Sequence, residues 1–397
     1  MTKLEQLIKE LCPNGVEYKK LSDIATVARG VRVVRDQLAE TGDIPVYQNS
    51  IKPLGYHDKS NVKAYSAFVI GAGAAGEIGF SDVDFWAADD CYYFLCPDNL
   101  NNRYLYFVLM KNQPLILSRV RKASIPRLSR TVIENLVIPV PPIEVQAEIV
   151  KILDNFTELT AELTAELTAR KKQYEYYRDL LLDFGVHGGA TSECEWRTVT
   201  LLDMLCQPIT DGPHTTPTFV DKGIPFVSVD SVWDGRIHFE NMRGYITEEF
   251  DLECCKKYKP QKHDVYMVKS GSTTGKVAYV DTDERFNIWS PLAAMRVNEN
   301  NSSRYLYHLL QTKRIQEMVK AKASHGSQPN LGMRELEKFE VTIPPLVEQL
   351  RIVEILDRFD KLCNDISEGL PAEIEARRKQ YEYYRDKLLS FEERKNA

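Results

Sequence analysis

Apolar residues recur at heptad spacing in two long stretches of the chain. Each stretch follows a Pro-Pro pair, and its apolar positions are Ile149, Ile152, Phe156, Leu159 and Leu163 in the first and Ile352, Ile355, Phe359, Leu362 and Ile366 in the second. This spacing is typical of helices that pack side by side, and proline suits the first turn of a helix. The pattern therefore predicts two long helices of about 40 residues each, roughly 60 Å at ~1.5 Å per residue.

Short apolar runs precede each predicted helix and are separated by glycine and proline. They contain aromatic and β-branched residues, and they are Ala67 to Ile70, Cys91 to Leu95, Asp264 to Val268 and Lys276 to Val280. Such runs are typical of short β-strands. Each half of the chain therefore begins with a predicted β-rich globular domain.

The two halves are copies of one unit. Residues 141–156 recur at 344–359 with 9 of 16 positions identical, and residues 169–182 recur at 376–389 with 12 of 14 identical. An internal repeat indicates that the chain is built from two similar structural units, independently of the local sequence patterns. We predict an α+β chain with globular domains at 1–140 and 191–343 and repeat helices at 141–190 and 344–397. An antiparallel coiled coil of the two helices would relate the domains by pseudo-twofold symmetry.

The charge distribution and the cysteine content narrow the range of possible functions. The net charge of -6 disfavours nucleic acid, yet basic residues cluster at 111–130, 256–276 and 312–334, where acidic residues are nearly absent. The 8 cysteines lack metal-ligand spacing, and no apolar run approaches the ~18 residues of a membrane span. We expect a cytoplasmic protein without a metal site whose basic clusters contact DNA.

A glycine-rich loop in each half invites a nucleotide-binding interpretation. Residues 71–76 match the dinucleotide fingerprint GxGxxG, and residues 270–276 are one residue short of a phosphate-binding P-loop. The first loop is followed by a predicted strand and not by the helix whose N-terminus would hold a pyrophosphate. Glycines between two strands better suit a close approach to a DNA backbone. A catalytic tetrapeptide for methyl transfer to an amino group is missing, so we expect no enzymatic activity in this chain.

Several motifs together resemble the specificity (S) subunit of type I restriction-modification enzymes. They are the Pro-Pro helix entries at 138–142 and 341–345 with Gln146 and Gln349, the Arg-Lys-Lys-Gln-Tyr-Glu-Tyr-Tyr-Arg-Asp block from Arg170 with its second copy from Arg377, and the Thr-Ala-Glu-Leu spacer. The resemblance covers the whole chain. It implies two target recognition domains that each read one half of a bipartite site in double-stranded DNA, with the helices setting the unread gap.

The resemblance also implies partner proteins. They are two methylation (M) subunits, which bind S-adenosylmethionine and methylate adenine, and restriction (R) subunits, which hydrolyse ATP and cut DNA. We expect S-adenosylmethionine, ATP and Mg on those subunits and no cofactor on this chain. The partner-binding candidates lie in the two repeat blocks: Tyr174, Tyr177, Arg178, Tyr381, Tyr384 and Arg385. That these residues merely lock the two helices together is an equally open interpretation.

The DNA-binding candidates lie in loops at equivalent positions of the repeat. They are Arg121, Lys122, Ser124 and Arg127 in the first domain and Lys269, Ser272, Thr273, Lys276, Ser327, Gln328 and Asn330 in the second. Lysine and arginine hold phosphates, whereas the side-chain amides of Gln328 and Asn330 can pair with adenine. Two other functions remain open at this point: a DNA methyltransferase with fused recognition domains, and a coiled-coil scaffold that binds no DNA.

Overall fold

The computed structural model describes residues 2–182, 196–324, 328–365 and 368–394. The chain divides into two compact units. The first unit comprises Met1–Leu163 with Ile374–Ala397, and the second comprises Thr164–Glu373. Each unit thus combines a globular domain with segments of the long helices. The domain boundaries drawn from the sequence stay a prediction.

The first domain and the helix that follows it contain five helices and nine strands in the described residues. They are α1 (Lys3–Leu11), β1 (Tyr18–Lys20), α2 (Leu21–Ile24), β2 (Thr26–Arg29), β3 (Ile44–Tyr47), β4 (Gly55–His57), β5 (Ser66–Ile70), β6 (Ile78–Ser81), β7 (Trp86–Ala87), β8 (Cys91–Leu95), α3 (Asn102–Ser118), α4 (Arg130–Glu134), β9 (Val137–Pro139) and α5 (Ile143–Leu182).

The second domain shares much of this order, adds a strand pair (Val232–Trp233 and Arg236–Ile237) and a helix (Glu248–Lys257), and is followed by two long-helix segments. Its described elements are β10 (Arg197–Thr200), β11 (Thr210–Asp211), β12 (Ile224–Val227), β13 (Val232–Trp233), β14 (Arg236–Ile237), β15 (Gly244–Ile246), α6 (Glu248–Lys257), β16 (Val265–Val268), β17 (Val277–Tyr279), β18 (Asn287–Ile288), β19 (Leu292–Met295), α7 (Ser303–Leu310), α8 (Lys313–Lys322), α9 (Met333–Glu337), β20 (Glu340–Ile343), α10 (Leu346–Asn364) and α11 (Leu370–Leu388).

The same two sheets occur in both domains. A four-stranded antiparallel sheet has the order β2-β8-β5-β6 in the first domain and β11-β19-β16-β17 in the second. A three-stranded sheet has the order β4-β3-β7 in the first and β15-β12-β18 in the second, and its last pair is parallel. The internal repeat therefore extends through the globular domains, and the predicted α+β class is confirmed.

The central strand of the larger sheet is buried on both faces. All five residues of β5 and all four of β16 are buried, which explains why these runs are apolar without alternation. A helix with the sequence Arg-Tyr-Leu-Tyr in its first turns packs near this sheet in each domain, and its Tyr104 or Tyr305 is fully buried. The core of each domain thus lies between the sheet and that helix.

The core of the first unit includes the C-terminal segment of the chain. Leu389 is 1% exposed in that core, and Tyr381 packs its ring against Phe107 with a centroid distance of 6.5 Å. Lys111 Nζ donates to the last carbonyls of this segment, Asp386 O at 3.2 Å and Leu389 O at 3.0 Å. The second copy of the repeat block, residues 376–389, therefore packs on the first domain.

The first copy of the block, residues 169–182, packs on the second domain in the same way. Tyr174 and Leu182 lie in the core of the second unit. The hydroxyl of Tyr174 lies 2.9 Å from His308 Nδ1, and His308 Nε2 lies 2.7 Å from a carboxylate oxygen of Asp357 on α10. A carboxylate only accepts, so His308 Nε2 donates to Asp357 and Nδ1 accepts from Tyr174. Where the first domain has Phe107, the second has a hydrogen-bonded histidine.

Aromatic rings join the long helices within each unit. Phe156 of α5 stacks on Tyr384 of α11 in the first unit at 5.4 Å, and Tyr177 of α5 stacks on Phe359 of α10 in the second at 5.7 Å. In the second unit, Lys171 and Asn364 line one cavity while Tyr177 meets Phe359, so α5 and α10 run antiparallel as predicted. In the described part of the chain, no helix is both long and apolar enough to cross a membrane.

The first long helix is continuous over 40 residues, but the prediction of an equally long second helix is wrong. The second is divided into α10, which ends at Asn364, and α11, which begins at Leu370. Pro371 explains the division, because proline lacks an amide hydrogen and its ring clashes with the carbonyl four residues before it in a helix. Ile366, placed in the predicted apolar seam, lies outside the described residues.

A buried glutamine ties the start of each long helix to its domain. Gln146 Oε1 accepts from the backbone of Asn101, and its Nε2 donates to Asn99 O and Pro141 O over 2.9 and 2.7 Å. Gln349 makes the equivalent bonds to Ser302 N and Pro344 O, and its Nε2 also donates to the side-chain Oδ1 of Asn301. Both side chains are fully buried. Each glutamine thus satisfies polar groups that the helix entry would otherwise bury without partners.

We expect Gln146→Leu and Gln349→Leu to lower the free energy of unfolding by about 3 kcal/mol each, because each leaves several buried polar groups without partners at roughly 1–3 kcal/mol per group. The midpoint of urea unfolding measures the effect. Gln261 is exposed, so Gln261→Leu is the matched control and should change stability by less than about 0.5 kcal/mol. Equal midpoints for Gln146→Leu and this control would contradict the assigned role.

His308 makes the stability of the second unit depend on pH. Burial of its ring, only partly offset by Asp357, lowers the pKa of His308 from 6.5. In the unfolded chain His308 becomes protonated near pH 6.5, whereas in the folded chain it stays neutral to a lower pH. The free energy of unfolding therefore falls as the pH drops below 6.5. His308→Phe, which copies Phe107, should be less stable at pH 8 but lose less stability between pH 7 and pH 5. An equal loss of thermal stability between pH 7 and pH 5 in His308→Phe and the unmodified chain would refute this explanation.

Candidate nucleic-acid interface

Two loops that were predicted separately lie side by side in the first domain. The first glycine loop (71–76) joins β5 to β6, and the first proline loop (121–128) follows α3. Gly73 N donates to Pro126 O over 3.1 Å, and Leu128 N donates to Gly71 O over 2.8 Å. Arg121 and Arg127 exchange two backbone hydrogen bonds of 2.9 and 3.2 Å across the proline loop. The loops thus form one hydrogen-bonded surface at the end of the central strand.

The second domain builds the same surface from different residues. Its second glycine loop (270–276) joins β16 to β17, and its second proline loop is described at 328–331. Gly271 N donates to Pro329 O over 3.0 Å, and Leu331 N donates to Lys269 O over 2.7 Å. These bonds match those of Gly73 and Leu128 one for one. The equivalence of the loops, expected from their positions in the repeat, is therefore a structural fact.

Positive backbone angles require glycine in both glycine loops. Gly73 has φ +85° and Gly271 has φ +98°, values that side chains rarely tolerate. A Cβ at Gly73 would also lie 2.8 Å from Asn49, whereas nothing lies within 4 Å of the Cβ position at Gly271. The second glycine loop is therefore open to an approaching molecule at this residue.

A glutamine holds the last glycine of each glycine loop. Gln113 Nε2 donates to Gly76 O over 3.3 Å in the first domain, and Gln316 Nε2 donates to Gly275 O over 2.9 Å in the second. Sequence reasoning missed both glutamines. Their spacing from the loops in sequence differs between the copies, because the single helix α3 corresponds to the two helices α7 and α8.

Most predicted DNA-binding side chains lie on these surfaces and are exposed. In the first domain they are Arg121, Lys122, Ser124 and Arg127, and in the second they are Ser272, Lys276, Gln328 and Asn330, with Thr273 half-buried. Ser327 lies outside the described residues. The structure thus brings together residues far apart in sequence, while their contact with DNA stays a prediction.

Lys269 is placed differently from the other candidates. Its Nζ lies 3.3 Å from the buried carboxylate of Asp211, which also accepts from Lys257 Nζ at 2.5 Å. Burial disfavours the charge of Asp211, but the two lysines outweigh it and lower its pKa. The side chain of Lys269 is 12% exposed. Lys269 therefore neutralises a buried acid beneath the loop, and no feature of the sequence pairs it with Asp211.

The partner-binding candidates mostly point into the units. Tyr174 is 5% exposed and covered by Arg178, whose guanidinium lies 5.5 Å from its ring centroid. Tyr177 and Tyr384 stack on rings of the neighbouring helices, and Tyr381 and Arg385 are half-buried. The most exposed tyrosines of the two blocks are Tyr176 at 63% and Tyr383 at 62%. These contacts agree with the helix-locking interpretation, and partner binding stays a prediction.

A metal site is not formed by the described residues. Within 2–182, 196–324, 328–365 and 368–394, no group of three or more His, Cys, Asp or Glu residues could hold a metal ion. The described cysteines are free thiols, and burial raises the pKa of Cys91 and Cys254. A thiol in this state is a poor nucleophile.

Known proteins similar to this chain fall into one group. A family model described as "Type I restriction modification DNA specificity domain" matches residues 13–170 and 196–376. The specificity subunit of the Escherichia coli type I restriction enzyme EcoR124I/EcoR124II is 40% identical over 256 residues, which cover 64% of this chain and 61% of that protein. The putative type I specificity subunit S.HindORF215P of Haemophilus influenzae is 32% identical over 412 residues, 98% of each chain.

Solved structures confirm the fold. The crystal structure of a type I restriction-modification system S subunit from M. genitalium has a TM-score of 0.60 at 16% identity and covers 94% of this chain and 96% of that one. Since the family model matches both domains and the Haemophilus relative matches along its whole length, this chain belongs to the family of type I restriction-modification DNA specificity subunits.

Proposed function

We propose that this chain is the subunit that selects the DNA sequence of a type I restriction-modification complex. Each domain would read one half of a bipartite site in double-stranded DNA, and the long helices would set the gap. The observation that carries the proposal is the recurrence of the hydrogen-bonded glycine and proline loops with exposed polar and basic side chains. Backbone amides and cations position a protein on phosphates, and side-chain amides read base edges.

The two surfaces distribute charge differently on the same frame. In the first domain the cations lie on the proline loop, and the residue after the glycine loop is Glu77. In the second domain the equivalent residue is Lys276, since both residues accept at their carbonyl from the last residue of the central strand. The second proline loop instead carries Gln328 and Asn330. Two chemically different surfaces support reading of two different half-sites.

The repeat blocks support assembly with paired partners. The two blocks are identical at 12 of 14 positions, and the tyrosine at the same position of each, Tyr176 or Tyr383, is exposed. Equal surfaces suit two copies of one partner. We propose two methylation subunits as these partners and restriction subunits as further members of the complex. This chain would be non-catalytic, and S-adenosylmethionine, ATP and Mg would bind to the partner subunits.

Methylation mapping tests the proposed function directly. The chain would be expressed together with the methylation subunit of its own system, and methylated adenines in the host DNA would be mapped by single-molecule sequencing. We expect one bipartite motif with a fixed gap. Gln328→Ala combined with Asn330→Ala should relax one half of the motif and leave the other half unchanged. A stable complex without any motif would contradict sequence recognition by this chain.

The salt dependence of DNA binding tests the division of charge. Each phosphate contact contributes about 0.9 to the slope of log K against log salt concentration, so Arg127→Ala and Lys276→Ala should each reduce the slope by about one. Lys9 is exposed on α1, and Lys9→Ala is the control that should leave the slope unchanged. Lys269→Ala should lower the free energy of unfolding more than it changes the slope, because Lys269 is paired with the buried Asp211. Slopes equal to that of the unmodified chain in fluorescence anisotropy would refute the assigned phosphate contacts.

A further inference from the structure

Each unit contains a second surface, a groove between its domain and a long helix. Groove 1, in the first unit, encloses about 760 Å³ and is lined by Phe80, Asp82, Arg103, Asp154 and Glu158 among others. Groove 2, in the second unit, encloses about 670 Å³, and its lining includes the residues equivalent to the first four, Tyr279, Asp281, Arg304 and Asp357. The groove is therefore a repeated feature like the loop surfaces.

The floor of each groove is built by the same contacts. Arg103 lies over the ring of Phe80 at 4.4 Å and pairs with Asp154 of α5 at 2.8 Å. Arg304 lies over the ring of Tyr279 at 4.8 Å and pairs with Asp357 of α10 at 2.5 Å. The arginine thus links the sheet of the domain to the helix in both units. The two walls of each groove, the sheet and the helix, are therefore joined by the same contacts.

The grooves are remote from the loop surfaces. Groove 1 is bordered by Tyr65, which directly precedes the central strand β5, while the first glycine loop directly follows that strand. Five residues at ~3.3 Å per residue separate the two surfaces by roughly 17 Å. The end of β17 places Asp281 at the corresponding edge of the second domain. A molecule in a groove would therefore not compete with a molecule on the loops.

The charge of the grooves disfavours DNA and favours a cation. Three carboxylates face one arginine in groove 1, and four carboxylates face three cations in groove 2. Within the part of the chain that the structure describes, Asp82, Glu158 and Asp281 are exposed and have no ion-pair partner. Phosphates would be repelled by these carboxylates, whereas a lysine- or arginine-bearing segment would neutralise them.

An aromatic residue with an unusual backbone marks the border of groove 1. Tyr65 has φ +57° and is 68% exposed, and the equivalent His263 of the second domain has φ +73°. Left-handed conformations are costly for bulky side chains, and they persist where the surrounding structure imposes them, often at binding sites. Exposed tyrosines are also enriched in protein interfaces. Both copies keep this conformation at the same strand end.

We propose that groove 1 and groove 2 are matched docking sites for two copies of one protein partner, each bound through a cationic segment that reaches the free carboxylates. This inference rests on the proposed function, in which the partner present in two copies is the methylation subunit. One copy occupies each groove, and DNA occupies the loop surfaces.

Charge reversal at the equivalent carboxylates tests the proposal on the full-length chain. The variants are Asp82→Lys for groove 1, Asp281→Lys for groove 2, and both together. Glu40→Lys and Glu299→Lys are the matched controls, because both residues are exposed and lie outside the grooves. Native mass spectrometry counts the bound copies of the purified methylation subunit, and titration calorimetry measures their affinity.

We expect two bound copies for the unmodified chain and the controls. Each single reversal should weaken one copy at least roughly tenfold, and the double reversal should weaken both. Binding of both copies with unchanged affinity in the double reversal would overturn the proposal, as would loss of both copies in a single reversal. If the unmodified chain bound no methylation subunit while its DNA recognition was intact, the assembly role in the proposed function would fail instead.

Discussion

The structure of each unit depends on the packing of one repeat block against a globular domain. Tyr174 and Leu182 enter the core of the second domain, and Tyr381 and Leu389 enter the core of the first. Burial of such large side chains is worth about 1.5–3 kcal/mol each, so the helix ends belong to the domain cores. The loops at the end of each central strand are therefore held in a fixed position relative to the helix segment of the same unit.

The two domains share one backbone arrangement, but some equivalent positions have side chains of different chemistry. The residue that accepts from the last residue of the central strand is the acidic Glu77 in the first domain and the basic Lys276 in the second, and Phe107 corresponds to the hydrogen-bonded His308. The backbone hydrogen bonds that join the loops are the same in both. A shared backbone with divergent side chains is what two different recognition surfaces on one duplicated fold require. The grooves, in contrast, keep the same arginine, aspartates and aromatic position in both units.

Some features could be predicted because they depend on local or periodic signals. The heptad spacing and the near-identical blocks predicted α5 and the duplicated organisation, and the loops that contain Pro126 and Pro329 were expected at equivalent positions of the repeat. The break between α10 and α11 was missed because the apolar seam was weighed above Pro371. The sequence left open whether Tyr174 and Tyr381 pack inward or bind a partner, because a tyrosine at heptad spacing suits both a core and a surface.

The sequence by itself determined the duplicated α+β organisation, the long helices and the family, because repeats and apolar periodicity are properties of the chain read in order. Only the tertiary structure decided which cations are free and which are paired. Lys276 and Lys269 are alike in sequence, yet one is exposed and the other lies against the buried Asp211. The same holds for the grooves, since Asp82 and Glu158 meet only when the sheet packs on α5. Charge pairing acts over a few ångströms in space, and sequence separation does not reveal that distance.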